Sequence, residues 1–383
     1  MVKTLSELRP VYVVGVGWHR YQEPTGTPYV QLGLTAVRQA LQDARAQWAA
    51  VDTSYVGTGR LGIASGRPML SHLGSNEGSI VHIENASASG SAAFRHACIE
   101  VAAGLADIGL AVGVDKIDGP TQIALTKTGI SDLARDAIAP FTHYALLTDA
   151  YMARYGVGID EIARVAVKNH RNGASNSNAH RQKVRSLDDV LNARAVSGQL
   201  TTLQCCPVGE GAAAVVVASE EGIRRHGLDA ARAIRVASSA AISETVYPAG
   251  VDFDAELTRR VGSCAMQQAQ VHPVDLDVLE LHDAFAIEEL QYIEALGLCN
   301  PGDAARKLKA GAYDIGGEMA VSPSGGLIAM GHPLGPTGIG QIGEITMQLR
   351  GEAGARQHRG AKTGLAHMVG LGAVAYAHVL RRD

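Results

Sequence analysis

Short apolar runs that stop at glycine alternate with helical spacings along most of this chain. Val11-Tyr12-Val13-Val14-Gly15-Val16-Gly17 reads as a buried strand, and residues 31–48 then place Leu32, Leu34, Val37, Ala40 and Leu41 at helical intervals. Residues 108–114, 211–219, 231–241 and 278–281 read as further buried strands, the last running straight into His282-Asp283-Ala284-Phe285. Residues 92–104 are alanine-rich and end at a glycine, a helix with a natural stop. Strands alternating with helices predict α/β layers, not an all-α or all-β chain.

A faint repeat runs through this pattern. Gly209-Glu210-Gly211 enters an alanine/valine strand near the end of a first half, and Gly370-Leu371-Gly372 enters another near the end of a second. Two similar halves would then pack together, the alternative being two strands of merely similar composition. A polar stretch, about 116–204, interrupts the first half. Within it residues 168–178, rich in Asn, Ser and Gly, read as a loop, either solvated or covering the phosphate end of a ligand.

Composition narrows the classes. At 383 residues the chain exceeds one ordinary core. Its 46% hydrophobic and 19% charged residues describe a soluble globular protein. A net charge of −4 gives no reason to expect nucleic-acid or membrane partners. No run approaches a membrane span and the first residues carry no apolar signal core, so the expected location is cytoplasmic. The five cysteines, Cys98, Cys205, Cys206, Cys264 and Cys299, lack paired C-x-x-C spacing, which argues against a zinc site within the chain and against a disulfide framework.

Candidate chemistry concentrates at Glu84-Asn85-Ala86-Ser87-Ala88-Ser89-Gly90-Ser91, just before the alanine-rich helix. A side chain at such a helix head meets unpaired N–H groups and a positive dipole end, which suits an anionic nucleophile or a forming oxyanion. This stretch resembles the nucleophile loop of a thiolase, with Ser87 where that family carries cysteine. The His282-Asp283-Ala284-Phe285 block, Gly331-His332-Pro333-Leu334-Gly335 and the Gly370 turn follow in the family's order. The chain is therefore similar throughout to the thiolase superfamily, in the branch of sterol-carrier-protein thiolases and their bacterial and archaeal relatives.

The resemblance implies an α/β thiolase fold: two duplicated halves, 1–225 and 226–383, in five αβαβα layers, with a loop domain inserted at about 116–204. It implies acyl transfer between the nucleophile and coenzyme A, coupled to making or breaking a carbon–carbon bond beside a thioester. Coenzyme A and acyl-CoA enter as substrates, with no permanently bound cofactor and no metal. By the same resemblance His332 activates the nucleophile, and His282 binds the thioester oxygen where enolate charge develops. Gly370, with the amide of Ser87, forms a second oxyanion hole. Asn169, His170 and Arg171 fall in the coenzyme A loop, and Cys206 aligns with a serine beside the pantetheine arm. The working unit is implied to be a homodimer or higher, paired through the strand at 80–83, with a separate small zinc-ribbon/OB-fold subunit as a further partner.

Departures from the family pattern leave the reaction open. A serine hydroxyl is a weaker nucleophile than a thiolate, and its ester resists return to a thiol. Ala284 and Met368 stand where other members place proton-shuttling cysteines, so His282, His332 or a bound water must move protons. Three readings of the serine remain: a thiolase with an engineered or trapping substitution at Ser87, a retro-aldolase cleaving a 3-hydroxyacyl-CoA without a covalent intermediate, or a non-catalytic thiolase-like subunit.

Overall fold

In the computed structural model the described residues are 3–117, 139–248, 250–371 and 374–383. Part of the polar insertion (118–138) and part of the second glycine turn (Gly372, Ala373) lie outside them.

The elements that build the site follow in chain order. Strand β1 (Val11–Gln22) leads into helix α1 (Tyr29–Ala44), then come β2 (Thr53–Gly57), β3 (Ser79–Ile83), α2 (Ser89–Ala102) and β4 (Ile108–Asp115). The insertion contributes α3 (Ala139–Tyr155) and α4 (Ile159–Ala174) before β5 (Glu210–Ser219) closes this part. The second part comprises β6 (Ile234–Ser243), α5 (Phe253–Ala269), β7 (Val278–Glu280), α6 (Ala286–Ala295), β8 (Ala320–Val321), α7 (Leu334–Arg350), β9 (Thr363–Gly370) and β10 (Val374–Arg381).

Among the described residues the main sheet has ten strands in the order β8-β7-β9-β10-β6-β1-β5-β4-β2-β3. The two sides of the β6/β1 junction repeat each other. In each, the first strand lies antiparallel to the last, the last antiparallel to its inner neighbour, and the remaining strands run parallel. The faint repeat of the glycine turns is thus a true topological duplication, with β5 and β10 as equivalents.

Alternation along the strands decides the layers. On β5, Val215 and Val217 face a central core with Phe94, Ile339 and Ile342, while Ala214, Val216 and Ala218 face an outer core with Leu32, Val37 and Leu41 of α1. Helix α5 covers the other outer face through Leu257 and Val261, packing with Leu279, Leu365 and Val379. Helices α2 and α7 lie side by side between the two sets of strands. The order is helix, sheet, paired helices, sheet, helix. This is the thiolase fold expected from the motifs. No helix among the described residues is long and apolar enough to cross a membrane.

Two readings need correction. The helix expected over 31–48 stops at Ala44, where Arg45 turns left-handed (φ 57°) and its amide bonds back to Leu41 and Gln42. More consequentially, 168–174 is not loop but the C-terminal half of α4. Lys168, Asn169, His170 and Asn172 are buried there, because their polar atoms find partners inside the protein. Polarity signalled exposure only because those partners lie more than 30 residues away in sequence.

Candidate active site

Ser87 sits in a 3-10 turn (Ala86–Ala88) that feeds directly into α2. The turn holds Ala86 at φ 50°, a conformation unfavourable for a residue with a Cβ. Hydrogen bonds fix it: Ala86 N donates to Glu84 at 2.7 Å, Ser89 Oγ donates to Ala86 O at 2.7 Å, and Asn85 N donates to Ser89 Oγ at 2.8 Å. Gly370, the last residue of β9, backs the turn so closely that a Cβ there would lie 2.5 Å from Asn85 O.

His332 reaches Ser87 from the loop before α7. Its Nε2 lies 3.0 Å from Ser87 Oγ, and its Nδ1 lies 3.0 Å from Thr337 Oγ1. The Thr337 hydroxyl donates to Pro333 O at 2.6 Å, so toward His332 it accepts. That places the proton on Nδ1 and leaves the Nε2 lone pair for the Ser87 hydroxyl. Burial, with His282 and Arg60 nearby, holds His332 well below the ordinary imidazole range, which keeps it neutral with its Nε2 lone pair free. Serine, histidine and threonine form a chain competent for general-base activation of a hydroxyl.

The start of α7 is anchored to the other half. Gly335 N donates to Asp115 Oδ2 at 2.5 Å, and the same carboxyl accepts from Thr58 Oγ1 at 2.6 Å and Arg60 N at 2.8 Å. Burial raises the Asp115 pKa, against the pull of these donors. A Cβ on Gly335 would lie 2.4 Å from Gly57 O, so only glycine admits this approach.

His282 completes the cluster. Its ring stands edge-on to His332, with centroids 5.2 Å apart at 85°. Its Nδ1 lies 3.1 Å from Glu288 Oε1, while its buried Nε2 has no protein partner. Cys206 lies one strand-like step away, its amide donating to Ala284 O at 2.8 Å; packing pushes its thiol up to about 12, so it is no thiolate at neutral pH.

The structure therefore brings Ser87, His332, His282 and Gly370 together, with Cys206 alongside. The other three expected residues are placed elsewhere. Asn169 is fully buried and donates to Asp283 at 2.6 Å and Glu289 at 3.1 Å, bracing the backbone behind His282. His170 Nε2 lies 3.2 Å from Leu203 O, and burial lowers its pKa to about 4. Arg171 is exposed and paired with Asp314 at 2.6 Å. Sequence reasoning missed Thr337, Glu288 and Asp115. Thr337 and Glu288 follow their histidines by five and six residues, each in the first turn of a helix; Glu288 caps its helix by accepting from Phe285 N, but with phenylalanine at the N-cap the sequence does not announce it. Among the described residues no group of His, Cys, Asp or Glu could hold a metal ion.

Two family models match the chain: the thiolase N-terminal domain over residues 23–221 and a thiolase C-terminal domain-like model over 239–382. The chain belongs to the thiolase family. Sterol carrier protein 2 of Bos taurus is 34% identical over 401 residues, spanning 97% of this chain and 72% of that protein. An acetyl-CoA acetyltransferase of Methanothermobacter thermautotrophicus is 31% identical over 384 residues, spanning 98% of this chain and 100% of that one. The solved Ltp2-ChsH2(DUF35) aldolase shares the fold, with a TM-score of 0.84 at 21% identity over 98% of both chains.

In this thiolase-family protein Thr337 should matter through His332 alone. In a Ser87→Cys background, Thr337→Val should slow iodoacetamide labelling at that thiol roughly tenfold, while Thr337→Ser should leave the rate near the parent's. Equal rates in all three proteins would remove Thr337 from the support of His332.

Proposed function

We propose that this chain is a thiolase-type acyl-CoA enzyme that breaks or makes a carbon–carbon bond beside a thioester. The observation that carries the reading is the Ser87–His332–Thr337 chain, with the unpartnered Nε2 of His282 facing the same site. In cleavage of a 3-ketoacyl-CoA, His332 Nε2 takes the Ser87 proton as Oγ attacks the C3 carbonyl. The amide of Ser87 and Gly370 bind the resulting oxyanion. The C2–C3 bond then breaks, its electron pair passing to the thioester enolate beside His282. A coenzyme A thiol removes the acyl group from Ser87, His332 returns its proton to Oγ, and the enolate α-carbon gains one proton for the one the thiol gives up.

A second reading is favoured by the oxygen at Ser87 and by a neutral base already seated at a hydroxyl. His332 would take the proton of a substrate 3-hydroxyl, and retro-aldol cleavage would leave a carbonyl and the same enolate without an acyl-enzyme. One experiment separates the two. Ser87→Cys should raise CoA-dependent cleavage of a 3-ketoacyl-CoA panel if acyl transfer is the reaction. If instead the unaltered chain cleaves a 3-hydroxyacyl-CoA without free CoA, and Ser87→Cys gains nothing, the retro-aldolase reading holds. Inertness of both proteins in both assays would overturn the two and leave the non-catalytic subunit.

For the nucleotide end of coenzyme A, Asn169 is committed to buried partners, whereas His170 is bonded through Nε2 alone. A basic groove of about 700 Å3 opens beside His170, Leu203 and Pro207 and carries His180, Arg181, Lys183, Arg185 and Arg194, with Glu23 as its one acidic residue. Its charge suits a phosphate group. Lys183→Ala with Arg185→Ala should weaken CoA binding roughly tenfold by calorimetry; unchanged affinity would move the nucleotide elsewhere.

Strand β3 is the outermost strand on its side of the sheet, and Val81 and His82 on it are exposed. An uncovered edge invites a second copy, which would set the two Ser87 turns close to a shared symmetric contact. The zinc-ribbon/OB-fold subunit belongs to this reading as a separate partner, made unnecessary by full activity of the purified chain. Light scattering should give at least twice the 40.0 kDa chain mass, and a monomer at micromolar concentration would overturn the pairing.

A further inference from the structure

Glu288 is buried and hydrogen-bonded beside His282, and the acyl-transfer scheme above makes no use of it. Its Oε1 accepts from His282 Nδ1 at 3.1 Å and from Tyr292 OH at 2.9 Å, and its Oε2 accepts from Phe285 N at 2.8 Å. The phenol of Tyr144 lies near enough to feel its charge, which adds to burial in raising the Tyr144 pKa. A protonated carboxyl would have to donate to one of these groups. The amide cannot accept, and a phenol that accepted would leave its own proton unbonded in the interior. Only His282 Nδ1 could accept from a protonated Glu288, and the two further donors on the carboxyl, Tyr292 OH and Phe285 N, favour its charged form over that arrangement, with His282 presenting Nδ1–H to it.

The consequence falls on the other ring nitrogen. With Nδ1 fixed as a donor, a neutral His282 offers only a lone pair at Nε2, which would repel an enolate oxygen. The cation offers Nε2–H, which binds it. Groups facing the pair from the surrounding elements are His332 before α7, Tyr144 on α3, Tyr292 on α6, His367 on β9, Asp254 on α5, Asp283 and Cys206. Asp254 is already paired with His143 at 2.9 Å, and Asp283 is held by Asn169 and Leu327 N. Glu288 is the carboxylate in direct contact with the His282 ring.

We infer that Glu288 is a positioning residue that holds His282 as a cation and so makes it the proton carrier of the site, in place of the cysteines missing at Ala284 and Met368. This rests on the carbon–carbon reading above and deepens it. When the C2–C3 bond breaks, the electron pair passes to the enolate and the Nε2 proton moves to its α-carbon. His282 is left neutral, with Nδ1–H still on Glu288. In acyl transfer it regains its proton from the incoming coenzyme A thiol, whose sulfur takes the acyl group as Ser87 Oγ leaves with the proton held by His332. Charge and protons return to their starting state each cycle.

Two measurements test this on the full chain. The first is nitrogen NMR of labelled protein at neutral pH, which reads protonation at each imidazole nitrogen without any substrate. Wild type should show both His282 nitrogens protonated, and Glu288→Gln, whose amide oxygen can still accept from Phe285 N, should show one. Two protonated nitrogens in a folded Glu288→Gln variant would overturn the inference, as would one in wild type. The second is exchange of the acetyl-CoA α-protons in heavy water, which needs no nucleophile. Glu288→Gln should lower the exchange rate about 100-fold with little change in KM, and Glu288→Asp should recover part of it. Wild-type exchange rates in Glu288→Gln would overturn the proton-carrier role. Failure of wild type to bind acetyl-CoA would instead count against the carbon–carbon reading, and the NMR result would still decide Glu288.

Discussion

The close approach of α2 and α7 is the constraint on which the site depends. A Cβ on Gly90 would lie 2.1 Å from Gly335 O, and one on Gly338 would lie 2.3 Å from Ser91 Oγ. With glycine at these crossings the two helix starts touch through their backbones, and the residues before them are drawn into hydrogen-bond range. A separation larger by a single methyl group would break the 3.0 Å contact between Ser87 and His332. Asp115 reinforces the approach from the end of β4, spanning the amide that begins α7 and the segment after β2.

Behind this contact lies an interior unusually rich in charge. Lys168 and Glu289 are almost wholly buried and paired at 3.2 Å, with Asn169 bridging them to Asp283. Glu280, at the end of β7, accepts from Ser324 N and Ser324 Oγ, yet burial and the nearby Glu344 push it up to about 8. Isolated charges in such surroundings cost several kcal/mol each, so their retention requires partners with good geometry. The partners here all hold the segment that carries His282. Rigidity of that segment is the physical return, since a ring that must present one nitrogen to a carboxylate and the other to a substrate tolerates little tilt.

How much of this could be read beforehand follows from where the information sits. The buried strands were legible because their apolar runs and glycine stops are local, and they gave α/β layers; the five layers and the duplication came from the family resemblance, the two glycine turns alone leaving the repeat open. Ser87, His332, His282 and Gly370 were legible as motif residues, and the structure brings them to one place. Helix α4 was misread because its polar residues turn inward to Glu289, Asp283, Ser322 and Leu203, and no local pattern reports a distant partner. Glu288 and Thr337 escaped for a related reason. Each acts through a neighbouring histidine, a relation defined by ring orientation rather than by spacing along the chain. Asp115 directly follows the apolar run 108–114, and only the folded chain reveals what it holds.

The division of the site between the two topological repeats has a consequence for how the protein comes into being. Ser87 and Asp115 come from the first repeat, and His282, His332 and Gly370 from the second, with up to 245 residues between bonded partners. Contacts of such separation close late, after local helices and hairpins have formed. A nascent chain on the ribosome would carry its serine for most of synthesis without a base beside it, and a chain cut before His332 could never acquire one. The contact between Ser87 and His332 is thus a property of the finished molecule alone, and its formation would report that both repeats have docked.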